Sequence, residues 1–325
     1  MKPTDNKLCL CCGKSLEGSS FHDGWHTSCS RRFFGLKTVP HLDISAENLE
    51  SHAQIFINSG TAVTGVQKKM SLHLESNEND KRLTLVGYPA GFILKPPAAE
   101  YPDLPELEHA LMSLADTAGI KTVPHALIRM ASNETAYITR RIDRRFPFTR
   151  TGSAKIPMED FCQLSQRLTE DKYKGSYEQC GKIIAQYSSR PGLDMADFFF
   201  LLLFCFVTGN ADMHLKNFSL IQTDSGYILS PSYDLVPTHM LIPNDTEESA
   251  LTVNGKKNRI TASDFTALGA NLNLQSKVID NMIKKTVSVQ EIFFKTPALN
   301  LLSQKRQEEL QALVKERCAR LGKGI

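Results

Sequence analysis

The sequence predicts an α+β protein of two lobes, a β-rich N-lobe carrying one helix and a mainly helical C-lobe. Three observations lead there. Between residues 53 and 100 the runs "AQIFIN", "KKMSLHL", "RLTLVGY" and "GFILKPP" alternate or run apolar between turn residues, as strands do. From residue 157 onward the apolar positions fall at helical spacing. Between them lies "DRRFPFTRTGSAK", basic and proline-containing, with the composition of a linker. The division is then a short Cys/His-rich segment at 1–35, the β-rich lobe at 36–145 and the helical lobe at 146–325.

Each element has its own signal. "LPELEHALMSLADTAGI" repeats Leu107, Leu111, Leu114 and Ala118 along one helical face and stops at Gly119. "ETAYITRRI" returns to strand. Helices are expected in "PMEDFCQLSQRL", "YEQCGKIIAQYS" and "LDMADFFFLLLFCFV". The last strong one, "SQKRQEELQALVKERCARLG", is amphipathic through Leu310, Leu313, Val314 and Leu321.

The totals narrow the classes. A chain of 325 residues is too long for one small core, and a net charge of +3 gives no electrostatic footprint for nucleic acid or a membrane surface. "MKPTDNKLCLCC" lacks the apolar stretch of a signal peptide, and the longest apolar run, "FFFLLLFCFV", suits a buried helix better than a bilayer span. A cytoplasmic protein with reduced cysteines is expected, and Cys162, Cys180, Cys205 and Cys318 read as core residues.

The first segment reads C-x2-C-x13-H-x2-C through Cys9, Cys12, His26 and Cys29, a spacing that suits one tetrahedral zinc ion. Cys11 and His22 are rival ligands. The competing reading is a turn-rich segment whose thiols merely pack around the single Trp25.

The chemistry concentrates in "NADMHLKN". Phosphotransferases of the protein-kinase type use an Asp and an Asn five residues apart on the catalytic loop, followed by a metal-binding Asp. Asp212 and Asn217 have that spacing, and Asp234 in "SYDL" follows the hairpin "FSLIQ"–"TDSG"–"YILSP". Asp212 would accept the proton of an incoming hydroxyl, and Asn217 and Asp234 would hold Mg²⁺. The same residues also suit helix caps and Asx turns, and His214 also suits a satisfied core position. Upstream, "SGTAVTGVQKKMSL" places Gly60 and Gly65 between strand-like runs without the G-x-G-x-x-G pattern. Lys95 ends the next strand, where a phosphate-gripping Lys belongs, and Glu108 on the following helix would orient it.

"GNADMHLKNFSL", "SYDLVPT", "TGVQKKMSL", "EDFCQL" and "LTVNGKK" resemble the HipA-like serine/threonine kinases of bacterial toxin–antitoxin systems, from about residue 55 to the end. The resemblance implies a protein-kinase-like fold and Mg-ATP-dependent phosphorylation, with Asp212 catalytic. It implies that Thr64, Gly65, Val66, Gln67, Lys68 and Lys69 cover the nucleotide while Lys95 contacts phosphates. His214, Leu215, Lys216, Asn217, Tyr233 and Asp234 would complete the nucleotide site, and Arg140, Arg141 and Ile142 would meet the adenine through backbone groups.

Two departures matter. The short segment before the Gly-containing loop resembles the HipT-type members of three-component HipB/HipS/HipT systems, which implies a HipS-like small protein supplying an N-terminal subdomain and a HipB-like DNA-binding protein as partners. The family autophosphorylates a Ser three residues before the Gly, where Ala62 stands here; Thr64 is the best remaining acceptor, with Thr61 and Ser59 behind it. The implied substrate is an aminoacyl-tRNA synthetase, the tryptophanyl enzyme ahead of the glutamyl one. Residues 239–260 stand where kinases keep a substrate-docking segment, though a plain surface loop suits them equally. The alternatives are a small-molecule kinase and a nucleotide-gated assembly subunit of a repressor complex.

Overall fold

The structure is a computed structural model that describes residues 8–42, 69–76, 81–85, 91–101, 103–147, 154–242 and 244–323. The expected strand "AQIFIN" and the Gly-containing loop through Lys68 lie outside the described residues, with Ser59, Thr61, Thr64, Gly65, Val66 and Gln67. The chain forms two compact units, Met1–Ser113 with Val123–Ile156 and Pro297–Leu302, and Leu114–Thr122 with Pro157–Thr296 and Ser303–Ile325.

The first unit is built on a six-stranded sheet. Its strands are β3 (His41–Leu42), β4 (Met70–Ser76), β5 (Lys81–Leu85), β6 (Phe92–Lys95), β7 (His125–Arg129) and β8 (Thr135–Arg140), in the order β3-β5-β4-β6-β8-β7. All neighbours pair antiparallel except β3 with β5. Register sets Leu72 opposite Phe92, and Leu94 opposite Met70 and Ile138, so these buried apolar side chains share one face. On the other face Tyr137 and Thr139 of β8 and Lys95 of β6 are buried, while Ser71 and His73 of β4 are half-buried.

Helix α2 (Leu104–Ala118) buries Leu107, Leu111 and Leu114 and ends at Gly119, whose φ of 88° is the left-handed conformation that glycine adopts without strain. One turn above Leu104, Glu108 is fully buried and pairs with Lys95, itself only 3% exposed, at the end of β6. Lys95 also sits 5.2 Å from the centre of the Tyr137 ring, its register partner on β8. Two desolvated ions held this way are oriented rather than merely tolerated.

Ahead of the sheet, a two-stranded hairpin, β1 (Phe21–His22) with β2 (Trp25–His26), leads into helix α1 (Thr27–Phe34). The sequence suggested only turns here. The side chains of Trp25, Phe33, Phe34 and Phe92 form one aromatic cluster with centroids 4.8–5.8 Å apart.

The second unit is organised by α5 (Pro191–Thr208), which starts with Pro in its first turn and is buried nearly all round. It is the one described helix long and apolar enough to cross a membrane by length and composition, and 72% of its apolar window is buried inside the protein. It packs against α4 (Tyr177–Tyr187), α8 (Ser276–Val287) and α10 (Gln304–Gly322); α7 (Ala262–Asn271) adds Phe265 against Phe199 and Phe206, and α6 (Thr238–Leu241) and α9 (Val289–Ile292) are single turns between them. At its start Asp194 Oδ2 accepts from Ser188 Oγ at 2.6 Å and from the Leu229 amide at 2.7 Å, tying the helix to a hairpin.

That hairpin is β10 (Ser219–Thr223) with β11 (Gly226–Leu229), as the turn chemistry predicts. Its third strand is a correction. "PMEDFCQLSQRL" is not one helix: Met158–Asp160 forms strand β9, paired antiparallel to β10, and only Phe161–Leu164 (α3) is α-helical. Asp160 is the reason, because it caps α3 through a capping box with Gln163, and a cap residue is extended rather than helical.

Two stability outcomes follow. Phe198 is fully buried and touches the rings of Phe161, Tyr177 and Phe218, so Phe198→Ala should cost about 3–5 kcal/mol in denaturant unfolding. Lys95→Met should cost about 3–5 kcal/mol because it breaks a buried ion pair, while the double replacement Lys95→Met with Glu108→Leu should recover most of that loss. Equal losses in the single and double variants would contradict the pairing.

Candidate active site

The loop that follows α5 starts from Gly209, at a φ of 71°. The left-handed φ is what favours glycine there; a Cβ would also meet the movable end of the Leu313 side chain at 2.5 Å. From this fixed end the chain runs through Asn210–Asn217, and its polar groups are largely spent on its own backbone. Asn210 Oδ1 accepts from the Asp212 amide at 3.2 Å. The Asp212 carbonyl accepts twice, from the His214 amide at 2.8 Å and from Asn217 Nδ2 at 2.8 Å. The last bond joins the two residues that sequence spacing singled out. It commits the NH₂ end of Asn217, which leaves the amide oxygen as the ligating end.

The Asp212 carboxylate accepts a 2.7 Å hydrogen bond from Tyr173 Oη. Burial first, and then this bond, hold the Tyr173 phenol above its ordinary pKa, so it remains a donor. The Tyr173 ring stands edge-on to His214 at 5.0 Å. His214 is buried, and burial lowers its pKa, which keeps the imidazole neutral; its Nδ1 has no hydrogen-bond partner among the described residues. Tyr177 closes the underside, donating to the Met213 carbonyl at 3.1 Å.

Leu215 is a core residue, and its amide donates to the Lys172 carbonyl. Lys216 reaches Asp160 Oδ2 at 2.7 Å, so this lysine ties the loop to β9. Its carbonyl accepts from Tyr233 Oη at 3.1 Å, and Tyr233 Oη also meets Ser219 Oγ at 2.6 Å. Next to Tyr233, Asp234 has a φ of 56°, a left-handed conformation that aspartate adopts more readily than most non-glycine residues. The segment beyond returns to the loop: Thr238 Oγ1 accepts from the Ala211 amide at 2.9 Å, and the His239 amide donates to the Gly209 carbonyl. Beyond it Leu251, Val253 and Ile260 are buried and Glu248 is bonded to Arg320 at 2.6 Å, while 244–247 and 254–256 are exposed.

In the second unit, then, Asp212, His214, Asn217 and Tyr173 form one bonded set, Lys216, Asp160, Tyr233 and Ser219 form a second, Leu215 is tied separately to Lys172, and Asp234 adjoins Tyr233 in the chain. Tyr173, Tyr177 and Asp160 bond to Asp212, Met213 and Lys216 respectively and were missed, because nothing in "DKYKGSY" marks a tyrosine as facing a loop some forty residues away.

The first unit holds Lys95 with Glu108, as described, and Lys69 just ahead of β4. The amides of Arg140 and Arg141 donate to the Pro124 and Gly91 carbonyls, so these two N–H groups serve the sheet. Arg141 is paired with Asp143 at 2.6 Å, and the Arg140 guanidinium lies over the Phe146 ring at 4.1 Å. Ile142 follows directly in the chain. The ligand atoms of Cys9, Cys12, His26 and Cys29 lie within 4.8 Å of one another. His22 instead pairs across the hairpin with Trp25.

Comparison with known proteins places this geometry in a family. Residues 61–292 match the model of the HipA-like C-terminal domain. Two proteins of Sinorhizobium fredii named as candidate kinases are similar. Y4mE is 30% identical over 238 residues, covering 69% of this chain and 55% of its own length; Y4dM is 30% identical over 245 residues, covering 70% and 57%. The chain thus spans little more than half the length of these relatives. Among solved structures, the HipA, HipB and operator DNA complex of the Shewanella oneidensis toxin–antitoxin system contains a similar chain at a TM-score of 0.68 and 22% identity, covering 87% of this chain and 72% of that one. At that identity the likeness shows the fold, which is the kinase-like α+β architecture that the sequence pattern predicts. The family match spans most of the sequence and includes the whole Asp212–Asp234 network, and the chain belongs to the HipA-like C-terminal domain family.

Proposed function

We propose that this protein is an ATP-dependent serine/threonine protein kinase acting as the toxin of a bacterial toxin–antitoxin system. The observation that carries the reading is the Asp212–Asn217 hydrogen bond, which holds a carboxylate and an amide oxygen on one rigid loop with Asp234 beyond the hairpin.

The donor set suits Mg-ATP. Carboxylate and amide oxygens are hard ligands of the kind Mg²⁺ takes, and the buried His214 Nδ1, unpartnered among the described residues, suits a polar atom of a nucleotide. Asn217 and Asp234 would hold the Mg²⁺, which neutralises phosphate charge when bound. Asp212 accepts the proton of the substrate hydroxyl as it attacks, and Tyr173 holds that carboxylate in one orientation meanwhile. Lys95, aimed by Glu108, contacts phosphates, and the segment Thr64–Lys69 covers them. A phosphate on Thr64, or on Thr61 or Ser59 in its place, would add about −2 charge there and oppose nucleotide binding.

The proposed substrate is an aminoacyl-tRNA synthetase, tryptophanyl before glutamyl, and the proposed setting is the cytoplasm. The Shewanella HipA was solved with HipB and operator DNA, which supports a HipB-like DNA-binding partner; a HipS-like small protein is the second partner to test.

The deciding assay is label transfer from γ-labelled ATP with Mg²⁺ onto a panel of purified synthetases. Wild-type protein should label one synthetase, and Asp212→Asn should lower the rate about 10²–10⁴-fold. Label on free metabolites and on no protein would instead favour a small-molecule kinase. ATP binding without any transfer would favour the assembly-subunit reading. In the same assay Tyr173→Phe should lower kcat about tenfold and leave the KM for ATP unchanged, the pattern of a residue that positions the base. An unchanged kcat would remove Tyr173 from that role. Mass spectrometry after incubation with Mg-ATP should find phosphate on Thr64 in the wild type and none in Asp212→Asn; an unmodified segment in both would overturn the self-inhibitory site.

A further inference from the structure

We propose that Cys9, Cys12, His26 and Cys29 bind one zinc ion in a closed structural site, and that the resulting zinc knuckle clamps the edge of the six-stranded sheet. This rests on the first unit alone and is independent of the phosphotransfer reading.

The geometry comes from two small rigid pieces. Cys9 and Cys12 sit on a turn closed by the Cys9 amide to the Lys14 carbonyl at 2.8 Å and by the Gly13 amide to the Cys9 carbonyl at 2.7 Å. His26 ends β2, and Cys29 lies in the first turn of α1. Their four ligand atoms lie within 4.8 Å of one another. A tetrahedral zinc ion bound at the usual Zn–S and Zn–N lengths needs them roughly 3.3–3.8 Å apart, so a small contraction completes the shell.

The histidine is already set for the task. His26 Nε2 lies 2.9 Å from the Ser15 carbonyl, which can only accept, so Nε2 carries the proton and Nδ1 carries the lone pair. Nδ1 is the atom turned to the thiols, 3.5 Å from Cys12 Sγ and 3.9 Å from Cys29 Sγ. Three thiolates on Zn²⁺ leave one negative charge, and sulfur-directed donors are in place: the His26 amide at 3.4 Å from Cys9 Sγ and Arg32 Nη2 at 3.7 Å from Cys29 Sγ. Three sulfurs and one imidazole are a soft donor set that selects zinc over Mg²⁺ or Ca²⁺, and four protein ligands leave no open position for chemistry.

The knuckle also has something to hold. The Leu10 carbonyl, one residue past Cys9, accepts from the Leu127 amide at 3.0 Å, and Trp25 Nε1 donates to the Leu127 carbonyl at 3.1 Å. Leu127 lies on β7, at the edge of the sheet, so the knuckle satisfies that backbone from outside. Phe33 and Phe34, which pack on Trp25, meet Phe92 on β6, the strand that ends in Lys95. Two-residue strands and an eight-residue helix cannot sustain themselves, and a metal ion supplies the missing cross-link.

The test is metal analysis of untagged full-length protein purified under reducing conditions from zinc-supplemented cells. The expected result is one zinc per chain in the wild type and in Cys11→Ser, and loss of that zinc in Cys12→Ser. Because Cys12→Ser could also unfold, the wild type is exchanged with Co²⁺, which should show the visible bands of a tetrahedral ion with thiolate charge transfer. Removing zinc with a chelator should lower the melting temperature, and added zinc should restore it. Absence of zinc from the wild type, iron in its place, zinc retained by Cys12→Ser or lost equally from Cys11→Ser, or a non-tetrahedral cobalt spectrum would overturn the site. An unchanged melting temperature in the zinc-stripped protein would overturn the clamp.

Discussion

The burial of one helix, Pro191–Thr208, is the constraint on which the catalytic-loop geometry depends. Its consecutive Phe and Leu residues leave no polar face, so the helix must be surrounded, and α4, α8 and α10 do so. Each fully buried Phe or Leu contributes about 1.5–3 kcal/mol from the area it removes from water, which fixes the helix axially as well as sideways. A rod held so firmly delivers its C-terminal end to one place. Gly209 then turns the chain out of the helix in the left-handed conformation that glycine holds without strain.

What the helix delivers is a loop whose polar groups hold each other. The Asp212 carbonyl bonds both the His214 amide and the Asn217 side chain, and the loop is tied outward through Lys216 to Asp160 and through Tyr233 to the Lys216 carbonyl. Such a network preorganises the acceptor oxygens, because little reorientation remains when a ligand arrives. Asp160 does two jobs here, capping α3 and anchoring Lys216, so the local helix start and the loop are coupled through one carboxylate.

The first unit reaches comparable order by different means. One face of its sheet is buried, and a desolvated ion pair, Lys95 with Glu108, links a strand end to a helix. The aromatic cluster around Phe92 joins the Cys/His-rich segment to the same strand. A lysine at a strand end is ordinarily solvated; here burial and a carboxylate partner turn it into a fixed cation.

The sequence alone determined the periodic elements and the loop. Helical spacing through Leu107, Leu111 and Leu114, the unbroken apolar run at 198–207, and the turn chemistry of "TDSG" are local signals, and local signals survive in one dimension. The Asp212–Asn217 interval was legible for the same reason, since both residues lie on one short loop. Only the tertiary structure decided which partners those residues meet. Tyr173 reaches Asp212 across 39 positions, and Asp160 reaches Lys216 across 56, distances over which sequence carries no pairing signal. Met158–Asp160 became a strand because β10 offered it a ladder and Asp160 began a helix, a tertiary override of a helical pattern. The four metal-ligand candidates were visible as a spacing, but whether the two pairs converge is a matter of how a hairpin and a helix fold back, and that is settled only in three dimensions.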